Sequence, residues 1–184
     1  MYYTKKNKYY FNKAFEIIKL DTSAINEIAK DPEAIKIGLY ITSVGGMLGF
    51  AKTNSFSLII FGAFYSIFVL FLFTAIIHLL CGYTKDKKEF MAFARIIALG
   101  NLIDWLAIFP ILNIFTTIWS GGIAIFALNN VYGINKSRAI LIILIAIFIL
   151  LLFIGMILTG PLSFLLPDLL NIQQGQLEQI SGNR

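Results

Sequence analysis

The sequence predicts an all-α fold: a polytopic transmembrane bundle of five helices, preceded by one or two amphipathic helices in an N-terminal cytoplasmic tail. Three observations point there. Hydrophobic residues make up 58% of the 184 and charged residues 14%, against about 45–50% and roughly 25% in soluble domains. Mean hydropathy is +0.80. The apolar residues fall into five separate runs, and lysine and arginine alternate in abundance between the segments that join them.

A helix needs about 20 apolar residues to cross the hydrocarbon core. The runs lie at approximately 32–51, 56–81, 90–109, 111–128 and 139–159. The first, from Pro32 to Ala51, is short and Gly-rich in its apolar part, so an interfacial or re-entrant segment is its alternative. The last, from Ala139 onward, is an unbroken run of Ile, Leu, Phe, Ala and Met with one Gly. Residues 32–160 thus form the membrane domain, 1–31 a cytoplasmic tail and 161–184 an external tail. Gly160-Pro161 and Pro167 break helix after the last run.

Loop charge orients the chain, because cytoplasmic loops are enriched in Lys and Arg. The N-terminal tail carries Lys5, Lys6, Lys8, Lys13, Lys19, Lys30 and Lys36, whereas the next loop has Lys52 alone. Lys85, Lys87 and Lys88 follow; the turn at Pro110 has none; the next loop has Lys136 and Arg138, and the C-terminal tail has Arg184. The alternation places the N-terminus inside and the C-terminus outside. Because the net charge of +5 resides in loops and tail, the sequence offers no folded basic face for nucleic acid.

Within the tail, Asp21, Thr22 or Ser23 is placed to cap a short helix with Ala24, Ile25, Ile28 and Ala29 at helical spacing. Phe11, Phe15, Ile18 and Leu20 form a similar stripe among lysines. Two partners suit these stripes: anionic headgroups of the inner leaflet, or the underside of the bundle itself. Asp31-Pro32-Glu33 reads as a cap and first-turn proline opening the first span.

Ionisable residues inside a span are costly, at least about 2.5–3.5 kcal/mol at the bilayer centre. Arg95 and Asp104 share the third run; at helical spacing they face apart and lie about 13 Å from each other, each nearer an interface than the midplane. Asn101 and Asp104 share a face of small and polar residues, and the Pro110 turn returns Asn113 to similar depth. The sequence therefore predicts an Asn101/Asp104/Asn113 cluster, as hairpin glue or as a ligand site. His78 and Arg95 form a candidate polar pair near the cytoplasmic end. Gly45 and Gly49 make a GxxxG; Ser120, Gly121, Gly122 and Ala124 are small residues of the fourth run, and such residues let membrane helices approach. With one cysteine, Cys81, one histidine, and none of the usual hydrolase, zinc or nucleotide motifs, no catalytic residue, metal site or cofactor is expected. The expectation is a non-enzymatic scaffold or adaptor contacting lipid and a membrane-protein partner or a second copy. The alternative is a small oligomeric transporter or channel subunit.

The order of these features resembles the Yip1 family of five-span membrane proteins. Matching elements are Asp31-Pro32-Glu33-Ala34 opening span one, the basic loop Gly82–Lys88, Phe90-Met91-Ala92-Phe93-Ala94-Arg95, the hairpin at Pro110, and Trp119-Ser120-Gly121-Gly122 followed by Val131-Tyr132-Gly133-Ile134-Asn135-Lys136-Ser137-Arg138-Ala139. The resemblance covers about residues 10–160 and implies a role in membrane organisation or trafficking. Eukaryotic members are linked to Rab-type GTPases; their Asp-Leu-Tyr-Gly-Pro-like motif is absent here, so that link does not carry over. The short tail and compact loops look like prokaryotic members, which implies the plasma membrane of a prokaryote.

Overall fold

A computed structural model describes residues 2–53, 55–82 and 87–159, and every regular element among them is helical. In chain order these are α1 (Tyr2–Ile18), α2 (Thr22–Lys30), α3 (Ala34–Phe50), a 3-10 turn (Ala51–Thr53), α4 (Phe56–Leu80), α5 (Lys87–Gly100), a 3-10 segment (Asn101–Ile108), α6 (Pro110–Tyr132) and α7 (Lys136–Thr159). The C-terminal tail at 161–184 lies outside the described residues. The chain divides into two compact units, Met1–Ala146 and Ile147–Arg184. In the second, residues 147–159 continue α7 and expose Phe148, Leu151, Leu152 and Met156.

Among the described residues, three helices are long and apolar enough to cross a membrane: Phe56–Leu80, Ile111–Tyr132 and Lys136–Met156. α3 is a shorter apolar helix of 17 residues. The third expected run departs most from expectation. It begins at Lys87 and stays α-helical only to Gly100, then tightens into eight residues of 3-10 helix, although such stretches rarely exceed 3–4 residues. Glycine weakens the α-helix at the changeover. The tighter winding rises about 2.0 Å per residue against 1.5 Å, carrying the chain farther toward the Pro110 corner. Arg95 and Asp104 are consequently about 15 Å apart along the axis.

Local chemistry explains the corners. Leu20 has a φ of 62°, a left-handed conformation that costs a side-chain-bearing residue about 1–2 kcal/mol. It closes α1 in a Schellman motif: the Leu20 N–H donates to Ile17 and the Asp21 N–H to Glu16. The Asp21 carboxylate then accepts from the N–H groups of Ser23 and Ala24, capping α2. One residue thus ends one helix and starts the next. Asp31 accepts from the Glu33 N–H across a turn at Pro32, and α3 starts at Ala34, two residues later than expected. α6 continues past the expected Leu128 to Tyr132 and stops at Gly133, whose φ of 64° only glycine adopts freely. Asn135 caps α7 by accepting from the Arg138 N–H at 2.9 Å, so that helix starts three residues early.

α3, α4, α5 with its 3-10 extension, and α6 alternate in direction. α3 runs alongside α5 and its 3-10 extension, with Gly38 at Ala98 and Gly45 at Trp105. α4 runs back, with Gly62 at Gly46, and α6 returns along the 3-10 segment and α5, with Ser120 at Asp104 and Ile123 at Gly100. α5 is the centre: Phe93, Ala94, Ile96, Ala98 and Leu99 are fully buried. The buried face of α1 is Tyr10, Ala14 and Ile17, one residue behind the expected stripe, and Phe15 stays 55% exposed. In α2 the expected Ala24, Ile25 and Ile28 are buried. At about 25 cal/mol per Å² of apolar surface removed from water, such a face is a principal reason the hairpin docks.

Close helix approach depends on glycines other than those the GxxxG spacing singles out. A Cβ at Gly62 would lie 2.5 Å from the Gly46 carbonyl oxygen, and one at Gly38 2.6 Å from the Ala98 side chain. A Cβ at Gly46 would collide with the Gly62 carbonyl and the Ser66 hydroxyl. Gly45 touches Trp105 only at 3.4 Å, and Gly49, Gly121 and Gly122 have nothing within 4 Å. Gly62→Ala is therefore expected to destabilise by about 1–3 kcal/mol through overpacking. Gly121→Ala and Gly122→Ala should instead stabilise by about 0.5–1 kcal/mol each through helix propensity. Thermal unfolding in detergent, followed by circular dichroism, checks the opposite signs.

Candidate functional site

Polar side chains concentrate in two seams and a docked hairpin. In the first seam, the Asn101 amide donates to the Thr42 hydroxyl at 3.1 Å, and that hydroxyl donates to the Ala98 carbonyl at 3.3 Å. Ser66 donates to the Thr42 carbonyl at 3.0 Å, and Trp105 Nε1 to the Ile41 carbonyl at 2.9 Å. α3 is thereby stitched to α4, to α5 and to the 3-10 segment. Asp104 faces α6 instead, accepting from the Ser120 hydroxyl at 3.1 Å. The Asn113 carbonyl accepts from Thr116 and Thr117 within its own helix. Asn101, Asp104 and Asn113 therefore make these bonds to three different sets of partners. Ala124 is buried beside this seam, one turn beyond Ser120.

The second seam lies where α4 and α6 end and α5 begins. His78 Nδ1 and the Tyr132 hydroxyl are 3.0 Å apart, with the Phe90 ring edge-on to the imidazole and Phe93 edge-on to Tyr132. The hydrogen bonds of His78 and Arg95 go to different elements, since Arg95 Nη1 donates to the Ala29 carbonyl of α2 at 2.6 Å. Among the described residues, groups of three or more His, Cys, Asp or Glu able to hold a metal are absent.

The hairpin formed by α1 and α2 is fastened through its helix ends. The last carbonyls of a helix have no partner within it. Trp119 Nε1 donates to the Ile18 carbonyl at 2.8 Å, closing the end of α1, while Arg95 does the same for α2. An arginine there also meets the negative end of the helix dipole. Phe11 lies edge-on to Trp105, Ile17 touches Gly100, and Tyr10 donates to Asp31 at 2.7 Å. α1 thus crosses from the start of α3, over the 3-10 segment, to α6. The sequence offered no periodic signal for Trp119, Trp105, Thr42 or Ser66, because each acts as a single donor to a backbone carbonyl of another segment.

On its outer side the hairpin carries an ionic lattice. Lys13 lies 2.8 Å from both Glu16 and Glu27, and Glu33 accepts from Lys6 and Lys36. The Glu27 carboxyl is held below its ordinary value by hydrogen bonds from Lys13 and then Tyr9, and that of Glu33 by Lys36 and then Lys6. Burial, reinforced by the Glu27 hydrogen bond, pushes the Tyr9 hydroxyl up to about 12; burial and Asp31 raise Tyr10 as well.

These arrangements define a helical membrane protein whose internal polar groups mostly join one helix to the next. The chain belongs to the Yip1 family: the Yip1 domain matches residues 23–158, from the first turn of α2 to the end of α7, with α1 preceding the match. No curated protein and no solved structure matches the chain.

Two outcomes follow for the hairpin. Trp119→Phe leaves the Ile18 carbonyl without its donor, an expected loss of about 1–3 kcal/mol, visible as faster amide exchange throughout α1. The lowered carboxyls stabilise docking above their ordinary value of 4.5 and lose that contribution as pH falls below it; the raised Tyr9 stabilises it below 10.0 and loses it as pH rises toward about 12. Protease accessibility of the Ile18–Asp21 corner should be flat between about pH 5 and about pH 9 and rise on either side.

Proposed function

We propose that this chain is a non-enzymatic, five-segment Yip1-type protein acting as a membrane scaffold or adaptor, in membrane organisation or trafficking. The segments are α3, α4, α5 with its 3-10 extension, α6 and α7. The alternating directions of α3, α4, α5 with its extension and α6 agree with the alternating loop charge, which supports an N-terminus inside, a C-terminus outside and residence in the plasma membrane of a prokaryote. Residues 1–31 and the segments 82–89 and 129–138 would then form the cytoplasmic contact face, with lipid headgroups and a membrane-protein partner or second copy as its contacts.

The observation that carries this reading is the use of the intramembrane polar groups. Asn101, Asp104, Ser66, Trp105 and Trp119 each make a hydrogen bond to a neighbouring helix, the arrangement of interhelical glue.

Two measurements test it. In a Cys81→Ser background, Lys36→Cys, Lys88→Cys and Lys136→Cys should react with an impermeant maleimide only in inside-out vesicles, and Lys52→Cys only in right-side-out vesicles; the reverse pattern for Lys52→Cys overturns the five-segment order. Solute and ion leak from proteoliposomes should match that of empty vesicles. Protein-dependent flux would replace the scaffold with a transporter or channel.

A further inference from the structure

The depth at which the hairpin docks conflicts with acyl chains around the whole bundle. Trp119, which holds the end of α1, stands 13 residues before Tyr132 in α6, about 20 Å along the helix. Arg95, which holds the end of α2, stands eight residues after Lys87, about 12 Å along. The hydrocarbon core is about 30 Å thick. If α4 and α6 lie across it, the hairpin starts at the cytoplasmic surface, where Lys6 pairs with Glu33, and reaches down into its middle.

Its outward face is mostly polar, with Tyr9 and Phe15 as the exposed aromatic residues on it. Lys8, Asn12, Lys19, Asp21, Ser23, Asn26, Glu27 and Lys30 are all exposed. Ile111, Ile114, Phe115 and Ile118 of α6, and Tyr40 and Met47 of α3, are exposed apolar residues on helices that it packs against. A largely polar stripe therefore runs from the cytoplasmic surface toward the middle of the bilayer. Each bare charge there would cost at least about 2.5–3.5 kcal/mol against acyl chains, so water and headgroups must enter along the stripe.

We propose that the outer face of α1–α2 is a path for phospholipid headgroups, along which the bilayer thins and lipids exchange between leaflets. Lys8, Lys19 and Lys30 suit the headgroup phosphate, while Asp21 and Glu27, already bonded to the start of α2 and to Lys13, leave their remaining lone pairs for an ammonium. Such exchange moves a headgroup past polar partners and makes or breaks no covalent bond. The path rests on the membrane placement of α4 and α6 and goes beyond the scaffold reading. A second copy seated face to face on the stripe is the competing occupant.

The test reconstitutes the full chain in phosphatidylcholine–phosphatidylethanolamine vesicles with a fluorescent phospholipid in both leaflets, and adds dithionite outside. Empty vesicles lose only the outer-leaflet signal; vesicles with the protein should lose nearly all of it. The variant Asn12→Leu/Lys19→Leu/Asn26→Leu/Lys30→Leu, which makes the stripe apolar, should slow exchange by at least about tenfold. The matched Asn12→Gln/Asn26→Gln variant, which keeps it polar, should retain exchange. Outer-leaflet loss alone with wild-type protein, or undiminished exchange in the leucine variant, overturns the path. So does efficient Asn26→Cys disulfide dimerisation in native membranes, which assigns the stripe to a second copy. Flotation with the vesicles after a carbonate wash reports separately on membrane embedding: protein that does not float contradicts the placement of α4 and α6, whereas floating protein without exchange contradicts the path alone.

Discussion

The arrangement depends on one close approach, that of α3 to α5 at Gly38 and Ala98. A single added methyl group at Gly38 would come within 2.6 Å of the Ala98 side chain, so the two backbones are nearly as close as helices can pack. That proximity lets the Thr42 hydroxyl reach the Ala98 carbonyl and the Trp105 indole reach Ile41. On another side α5 presents Gly100, which leaves room for Ile17 of α1 and Ile123 of α6 to close in. A bulkier α5 would push the surrounding helices outward and leave these backbone-directed hydrogen bonds unmade. In a medium without competing water, each such loss is felt in full.

The two donors that close α1 and α2 extend the same logic to the hairpin. Apolar burial of Ile17, Ile25 and Ile28 supplies attraction without direction. Trp119 and Arg95 supply direction, because each satisfies one specific carbonyl at a helix end. The family match begins at Ser23, so Arg95 and its Ala29 partner both fall within the matched residues, whereas the Ile18 carbonyl bonded by Trp119 does not. The fastening of α2 thus lies inside the Yip1 domain, while that of α1 joins the domain to the segment before it.

Much of the helical order was legible because it is periodic or local. The apolar runs, the Asp21 cap, the buried Ala24, Ile25 and Ile28 of α2 and the proline turn at 110 all follow from spacing or from one residue's chemistry. The 3-10 segment was not legible: Asn101–Ile108 has ordinary helical spacing, and its tightening answers to the neighbours it must reach. The same holds for the glycines. Gly45 and Gly49 satisfy the GxxxG spacing, yet Gly46 and Gly62 are the pair in backbone contact, because helix rotation about the axis is set by tertiary packing. The side chains of Asn101 and Asp104 bond to Thr42 of α3 and Ser120 of α6, and the backbone carbonyl of Asn113 serves Thr116 and Thr117 within its own helix.

The central claim is that α1–α2 lies against α5 in the membrane-embedded protein, and a disulfide tests it most directly. Ile17 Cγ2 is 3.7 Å from the position a Cβ would take at Gly100, so sulfur atoms at the two sites fall within bonding reach. In a Cys81→Ser background, Ile17→Cys/Gly100→Cys in native membranes should form an intramolecular disulfide under mild oxidation, nearly to completion. Two thiols that stay reduced and both react with an impermeant maleimide would show a detached hairpin and contradict the account.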